Sequence, residues 1–137
     1  MPIIFAIHEY VLKPGVNESE FEQALRQAEQ RQLFKLPGLV EHHFLKGVKG
    51  RRRGCYAALW VFESRAAWEK LWGPPDHPLD KQDYPASWKL WEEEVLAPFL
   101  DRDPDTIVFT DYEELSNGSA SAAPAVIVPT RPKGTSP

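Results

Sequence analysis

Residues 55–62, CYAALWVF, form an unbroken apolar run with no charged residue. In a strand successive side chains point to opposite faces. Cys55, Ala57, Leu59 and Val61 then share one face, and Tyr56, Ala58, Trp60 and Phe62 the other. Neither face tolerates water, so the run predicts an interior strand of a sheet covered on both sides. Helices cover one side of an α+β sheet, and something else must cover the second. The small and aliphatic face suits helices, which leaves the aromatic face for the other cover. A chain of 137 residues supplies one domain. The expected cover is therefore a second copy, with two sheets packed face to face about a two-fold axis into a barrel.

The flanking sequence supplies the remaining elements. IIFAIHEYVLKPG is a β-branched and aromatic strand closed by Pro14 and Gly15. Asn17 is a good helix N-cap, Glu20 follows at capping-box spacing, and Phe21, Ala24, Leu25 and Ala28 form a helical apolar stripe. Pro37 and Gly38 end it. A second strand spans about 39–48, the basic turn KGRRRG follows, and the third strand is 55–63. Ser64 caps a short helix, RAAWEKLW. Four prolines make GPPDHPLDKQDYP an irregular loop of notable length. Pro85 then opens the helix PASWKLWEEEVLA. Its apolar face is Trp88, Trp91 and Val95, and Lys89, Glu92, Glu93 and Glu94 are expected in solvent. DTIVFTDYEEL is the fourth strand. The order is that of a ferredoxin-like βαββαβ α+β fold with a four-stranded antiparallel sheet. The domain is expected to span 1–115. Residues 116–137 read as a flexible tail, with AVIVP as a possible added edge strand.

Charge and motifs exclude several function classes. A net charge of −4 and a pI near 5.6 argue against a nucleic-acid or polyanion binder. Eight apolar residues in a row fall far short of the roughly 20 that a membrane helix needs. The N-terminus has no export-signal pattern. The single Cys55 precludes an internal disulfide and suits a reducing, cytoplasmic compartment. P-loop, GxGxxG and CxxC motifs are absent. HEYVL is not HExxH, since Leu12 stands where the second His belongs, and no histidine spacing demands a metal. RGCYAALWVF has the place of an RNA-recognition strand, but the stacking positions hold Cys55 and Ala57. The run Lys49, Arg51, Arg52 and Arg53 reads as a solvated hairpin tip.

Candidate chemistry rests on histidine and aromatic residues. On the first strand His8 and Tyr10 share a face with Ile4 and Ala6, whereas Phe5, Ile7, Glu9 and Val11 share the other. His8 and Tyr10 are expected on the barrel side, with His8 as the proton-transfer group and Tyr10 as its partner. On the second strand His42 shares a face with Val40 and Phe44 and is expected to face the cavity. His43, beside Glu41 and Leu45, is expected on the helix side or its rim. Trp60, Phe62, Trp68 and Trp72 are candidates for an aromatic wall around a flat ligand.

Three stretches carry a resemblance: YVLKPG ending the first strand, LPGLVEHHFL opening the second, and ALWVFESRAAWEKLW running from the third into its helix. Over about residues 3–113 the chain resembles the dimeric α+β barrel superfamily, and within it the antibiotic-biosynthesis-monooxygenase-like domains. The resemblance implies a homodimer joined through the open sheet face and, in the monooxygenase type, cofactor-free oxidation of polycyclic phenols. It places Phe62 and Trp68 near the substrate cavity. Phe62 stands where that family usually has Trp, and Ala58 where it uses a polar strand residue. The haem-degrading branch would map its Asn onto His8, its Trp onto Leu71 or Trp72, and its His onto His77. The expectation is an enzyme acting on a small aromatic or quinol-like molecule with no cofactor. Two alternatives stay open: a non-catalytic ligand-binding or assembly protein of the same fold, and a haem-binding protein.

Overall fold

The computed structural model describes residues 2–116. The expected tail strand at AVIVP lies outside them. The elements run β1 (Ile4–Tyr10), α1 (Glu18–Gln30), β2 (Leu39–Lys46), β3 (Tyr56–Phe62), α2 (Arg65–Trp72), α3 (Ala86–Leu90) and β4 (Val108–Glu113). The strands form one antiparallel sheet in the order β2-β3-β1-β4, so the fold is α+β and ferredoxin-like. The apolar run β3 is an interior strand, as its two-faced pattern requires.

Local chemistry sets the helix boundaries. The Asn17 side chain accepts from the Glu20 backbone N–H at 3.3 Å and starts α1, which buries Phe21, Leu25 and Ala28. Ser64 accepts from the Ala67 backbone N–H at 3.1 Å and starts α2. Helix α3 does not stay α-helical. It widens into a π-helical turn over Trp91–Leu96, where the Ala97 N–H donates to the Glu92 carbonyl at 2.9 Å. Trp88, Trp91, Val95 and Leu96 are buried along this element, and Glu92 is buried among them. The fourth strand is shorter than its sequence suggests. Asp103 accepts from the Asp105 N–H and holds Pro104–Thr106 in a 3-10 turn before β4 begins.

The two faces of the sheet are the reverse of the sequence expectation. Tyr56, Ala58, Trp60 and Phe62 lie under the helices with Ile4, Ala6 and Tyr10, in one core with Phe21, Phe34, Trp88 and Trp91. Alternation fixes which residues share a face, but not which face the helices choose. The choice follows the aromatic residues that the helical layer itself presents. Trp60 is their hub: its ring centroid lies 5.1 Å from Phe34, 5.0 Å from Trp88 and 6.1 Å from Trp91. His8 and Tyr10 accordingly face the helices and not the open side.

Strand β2 is irregular between Leu39 and Glu41. This bulge turns Val40 out, 54% exposed, although alternation alone groups it with His42. His42 and Phe44 face the helical layer, packed on Phe34 at 4.9 and 5.6 Å. His43 looks to the open face and pairs with Glu41 at 2.9 Å, not to the helix side. That open face is still apolar. Phe5, Ile7 and Leu59 are half-buried, and Leu45, Val108 and Tyr112 are 45%, 47% and 54% exposed. Among the described residues, no helix is long and apolar enough to cross a membrane.

Candidate active site

A cavity of about 570 Å³ lies on the helix side of the sheet. Its floor is the β1–β4 pair, where His8 stands opposite Phe109. Trp68 and Trp72 from α2 form one wall, and Trp88 and Glu92 from the α3 element form another. The proline-rich loop closes a third side with Pro74, Pro75, Pro78 and Tyr84. Gly73 makes that loop possible. Its φ is +87°, and an added Cβ would sit 2.6 Å from the Leu79 nitrogen and 2.7 Å from the His77 oxygen. Only glycine allows the backbone to fold back this closely at the end of α2. This cavity lies on the helix side of the sheet, not on the open face where the sequence placed His8 and Tyr10.

His8 is held in one protonation pattern. The Trp60 indole N–H donates to His8 Nδ1 at 3.1 Å. An indole nitrogen can only donate, so Nδ1 must accept, and the proton of the neutral ring sits on Nε2. Trp60, Trp88 and Phe109 surround the ring with centroids at 5.9, 6.0 and 5.9 Å. Burial drives the imidazole pKa down to about 4. His8 is thus a neutral N–H donor at physiological pH.

Glu92 is the second chemical group of the cavity. It is 8% exposed, and its Oε1 has no hydrogen-bond partner among the described residues. Burial lifts its carboxyl to about 7; Asp105 adds to the rise, and Lys81 opposes it. Lys81 itself is taken up by Asp105 at 2.6 Å. Asp111, on β4 beside Trp68, is also raised by burial, with the Trp68 indole opposing. A carboxyl that titrates near neutrality and a neutral imidazole N–H lining one cavity can take a proton from a substrate and stabilise the oxyanion that forms.

Of the residues singled out from sequence, His8, Trp68 and Trp72 line the cavity. Trp60 stands behind His8 as its hydrogen-bond donor. Phe62 stands behind Trp72, ring to ring at 6.3 Å. Tyr10 lies outside the cavity lining. It is 1% exposed between Phe21 and Trp91, and burial raises its phenol further. Sharing a face with His8 did not bring it to the site. His42 is also outside, paired with Glu29 of α1 at 3.0 Å. His77 is exposed on the loop. Among the described residues, no three His, Cys, Asp or Glu side chains converge to hold a metal ion.

Sequence reasoning missed Glu92, Trp88, Tyr84, Phe109 and Asp111. For Glu92 a signal existed. It follows Trp88 by four residues and so shares its helix face. The run of three glutamates disguised it as a solvated patch.

Several solved structures share this architecture. The chain is similar to a Bordetella bronchiseptica protein provisionally named an antibiotic biosynthesis monooxygenase, at 14% identity and TM-score 0.56, over 85% of this chain and 99% of that one. A dabb family protein with a ferredoxin-like fold from Mesorhizobium loti matches at 13% identity and TM-score 0.55, over 86% and 100%. A dimeric ferredoxin-like protein of unknown function from a Jannaschia species matches at 16% and 0.54, over 82% and 99%. No protein-family profile matches the chain, and no curated protein does so significantly. At these identities the likeness establishes the fold alone, a ferredoxin-like α+β fold.

Proposed function

We propose that this chain is a small-molecule enzyme that acts on a flat aromatic, quinol-like substrate by proton transfer, with no bound cofactor. One observation carries the reading: His8 and Glu92, both withdrawn from water and both shifted in pKa, share an aromatic-walled cavity. Their roles follow from their protonation. Glu92 is the base that takes a proton from the substrate. His8 is not a base here, because Trp60 occupies Nδ1 and Nε2 already carries its hydrogen. Its Nε2–H steadies the phenolate or enolate oxygen as charge develops. The anion then takes a proton back at another carbon, as in an isomerase, or reacts with dioxygen. In the second case a ring CH2 and O2 give a C=O and water.

The test is turnover of quinol-like substrates in air. His8→Ala should lower kcat by roughly 100- to 1,000-fold, the usual cost of one oxyanion donor. In the wild type kcat/KM should rise with pH through about 7, where Glu92 loses its proton, and Glu92→Gln should abolish that rise. Equal turnover by wild type and His8→Ala removes the role of His8. Ligand binding with no turnover in any form favours a non-catalytic binding protein.

The chain also acts, in this reading, as a homodimer through the open sheet face. Support comes from the half-buried Phe5, Ile7 and Leu59 and the exposed Val108 and Tyr112, a patch seldom left in water. Sedimentation at micromolar concentration should give a two-chain species, and Leu59→Asp should give one chain. A wild-type monomer would sink the dimer but leave the cavity intact.

A further inference from the structure

The polar groups of the cavity are unevenly distributed by charge. Glu92, Asp105 and Asp111 all line it, whereas among the described residues no lysine or arginine does. Lys81 offsets Asp105 through their 2.6 Å pair. Glu92 has no such close ion pair: Lys81 and the Trp88 indole favour its charge only in part, and its Oε1 is buried without a partner among the described residues. Around these carboxyls stand Trp68, Trp72, Tyr84, Trp88 and Phe109. Trp72 meets Tyr84 edge to face at 5.2 Å and Trp88 at 5.2 Å, so these three rings form a continuous aromatic wall. Aromatic faces carry negative quadrupole charge and attract cations, tryptophan most strongly. A carboxylate ligand would meet like charge from Glu92, Asp105 and Asp111, whereas a protonated amine would meet both the aromatic wall and these carboxyl groups.

We propose that the cavity selects an aromatic ligand that carries a basic nitrogen, with its ring against the tryptophans and its ammonium toward Glu92 and Asp111. This rests on the reading of the cavity as the ligand site and narrows its substrate to cationic aromatics. The selection is electrostatic, so it can be separated from ring binding by ligands that differ only in the charged group.

Three naphthalene probes of one ring size serve: 2-naphthylmethylamine, 2-naphthalenemethanol and 2-naphthoate. Their affinities for the full chain are measured at pH 8 by calorimetry. The amine should bind about tenfold more tightly than the alcohol, and the carboxylate most weakly. Glu92→Gln and, separately, Asp111→Asn should shrink the ratio of amine to alcohol affinity. Lys81→Ala should enlarge the preference, because it removes the offset to Asp105 from a surface position with little risk to folding. An alcohol that binds with no amine preference, or a preference that all three variants leave intact, overturns the charge selection and spares the aromatic cavity. Failure of all three probes to bind overturns both.

Discussion

Glu92→Gln should turn a nearly flat pH dependence of stability into a rising one. In the wild type two buried groups oppose each other. Glu92 goes from 4.5 to about 7 on folding, so between those values the folded state binds the extra proton. Its contribution is present below pH 4.5 and is lost as pH rises through 7. His8 goes from 6.5 to about 4, so between those values the unfolded state binds the extra proton. Its neutral burial is penalised at low pH, and the penalty disappears as pH rises to 6.5. Each shift corresponds to about 3 kcal/mol, with opposite sign. Over about pH 4.5–6.5 the slopes from these two groups cancel. Glu92→Gln leaves His8 alone, and stability climbs with pH by up to about 3 kcal/mol relative to wild type. His8→Gln leaves Glu92 alone, and stability falls over pH 4.5–7 by a similar amount. Urea midpoints measured from pH 4 to 8 read both. Parallel curves for wild type and both variants would show that neither group is buried as described.

Trp60→Ala should be the most damaging single substitution in the core. The side chain is 1% exposed and contacts Phe34, Phe44, Trp88 and Trp91 across the sheet–helix interface. Its truncation removes packing and leaves a cavity, for a loss of about 3–5 kcal/mol by chemical denaturation. Trp60→Phe separates packing from chemistry. It keeps most of the ring volume but deletes the N–H that fixes His8 Nδ1. The chain should stay folded, and the imidazole should then populate both neutral tautomers, visible in its ring ¹⁵N shifts. A single unchanged tautomer in Trp60→Phe would mean that the indole does not set it. A loss under 1 kcal/mol in Trp60→Ala would mean that Trp60 is not the hub.

The fold was largely legible because its signals are local. Asn17 and Ser64 cap the helices they were expected to cap, and the two-faced run 55–62 requires an interior strand. The orientation of the sheet was not legible. Nothing within β3 says whether Trp60 or Leu59 meets the helices, and the answer lies in Phe21, Phe34, Trp88 and Trp91, distant in sequence. The same inversion moved His8 from the open face to the helical side, where it lines the cavity. Val40 misled because a bulge breaks alternation at one residue. Glu92 was hidden for two reasons. Acidic runs are usually solvated, and the widened turn over Trp91–Leu96, where this one sits, leaves no mark in residue type.

That turn has a consequence of its own. One residue added to an ordinary α-helix swings everything beyond it by about 100°. A π-type turn absorbs the addition in place, so Trp88 before it and Leu96 at its end both keep their grip on the core. The acidic group between these anchors thus occupies a detachable unit of the scaffold. Removing one residue there would return the segment to ordinary α-helical winding and change which side chain this wall turns toward the cavity.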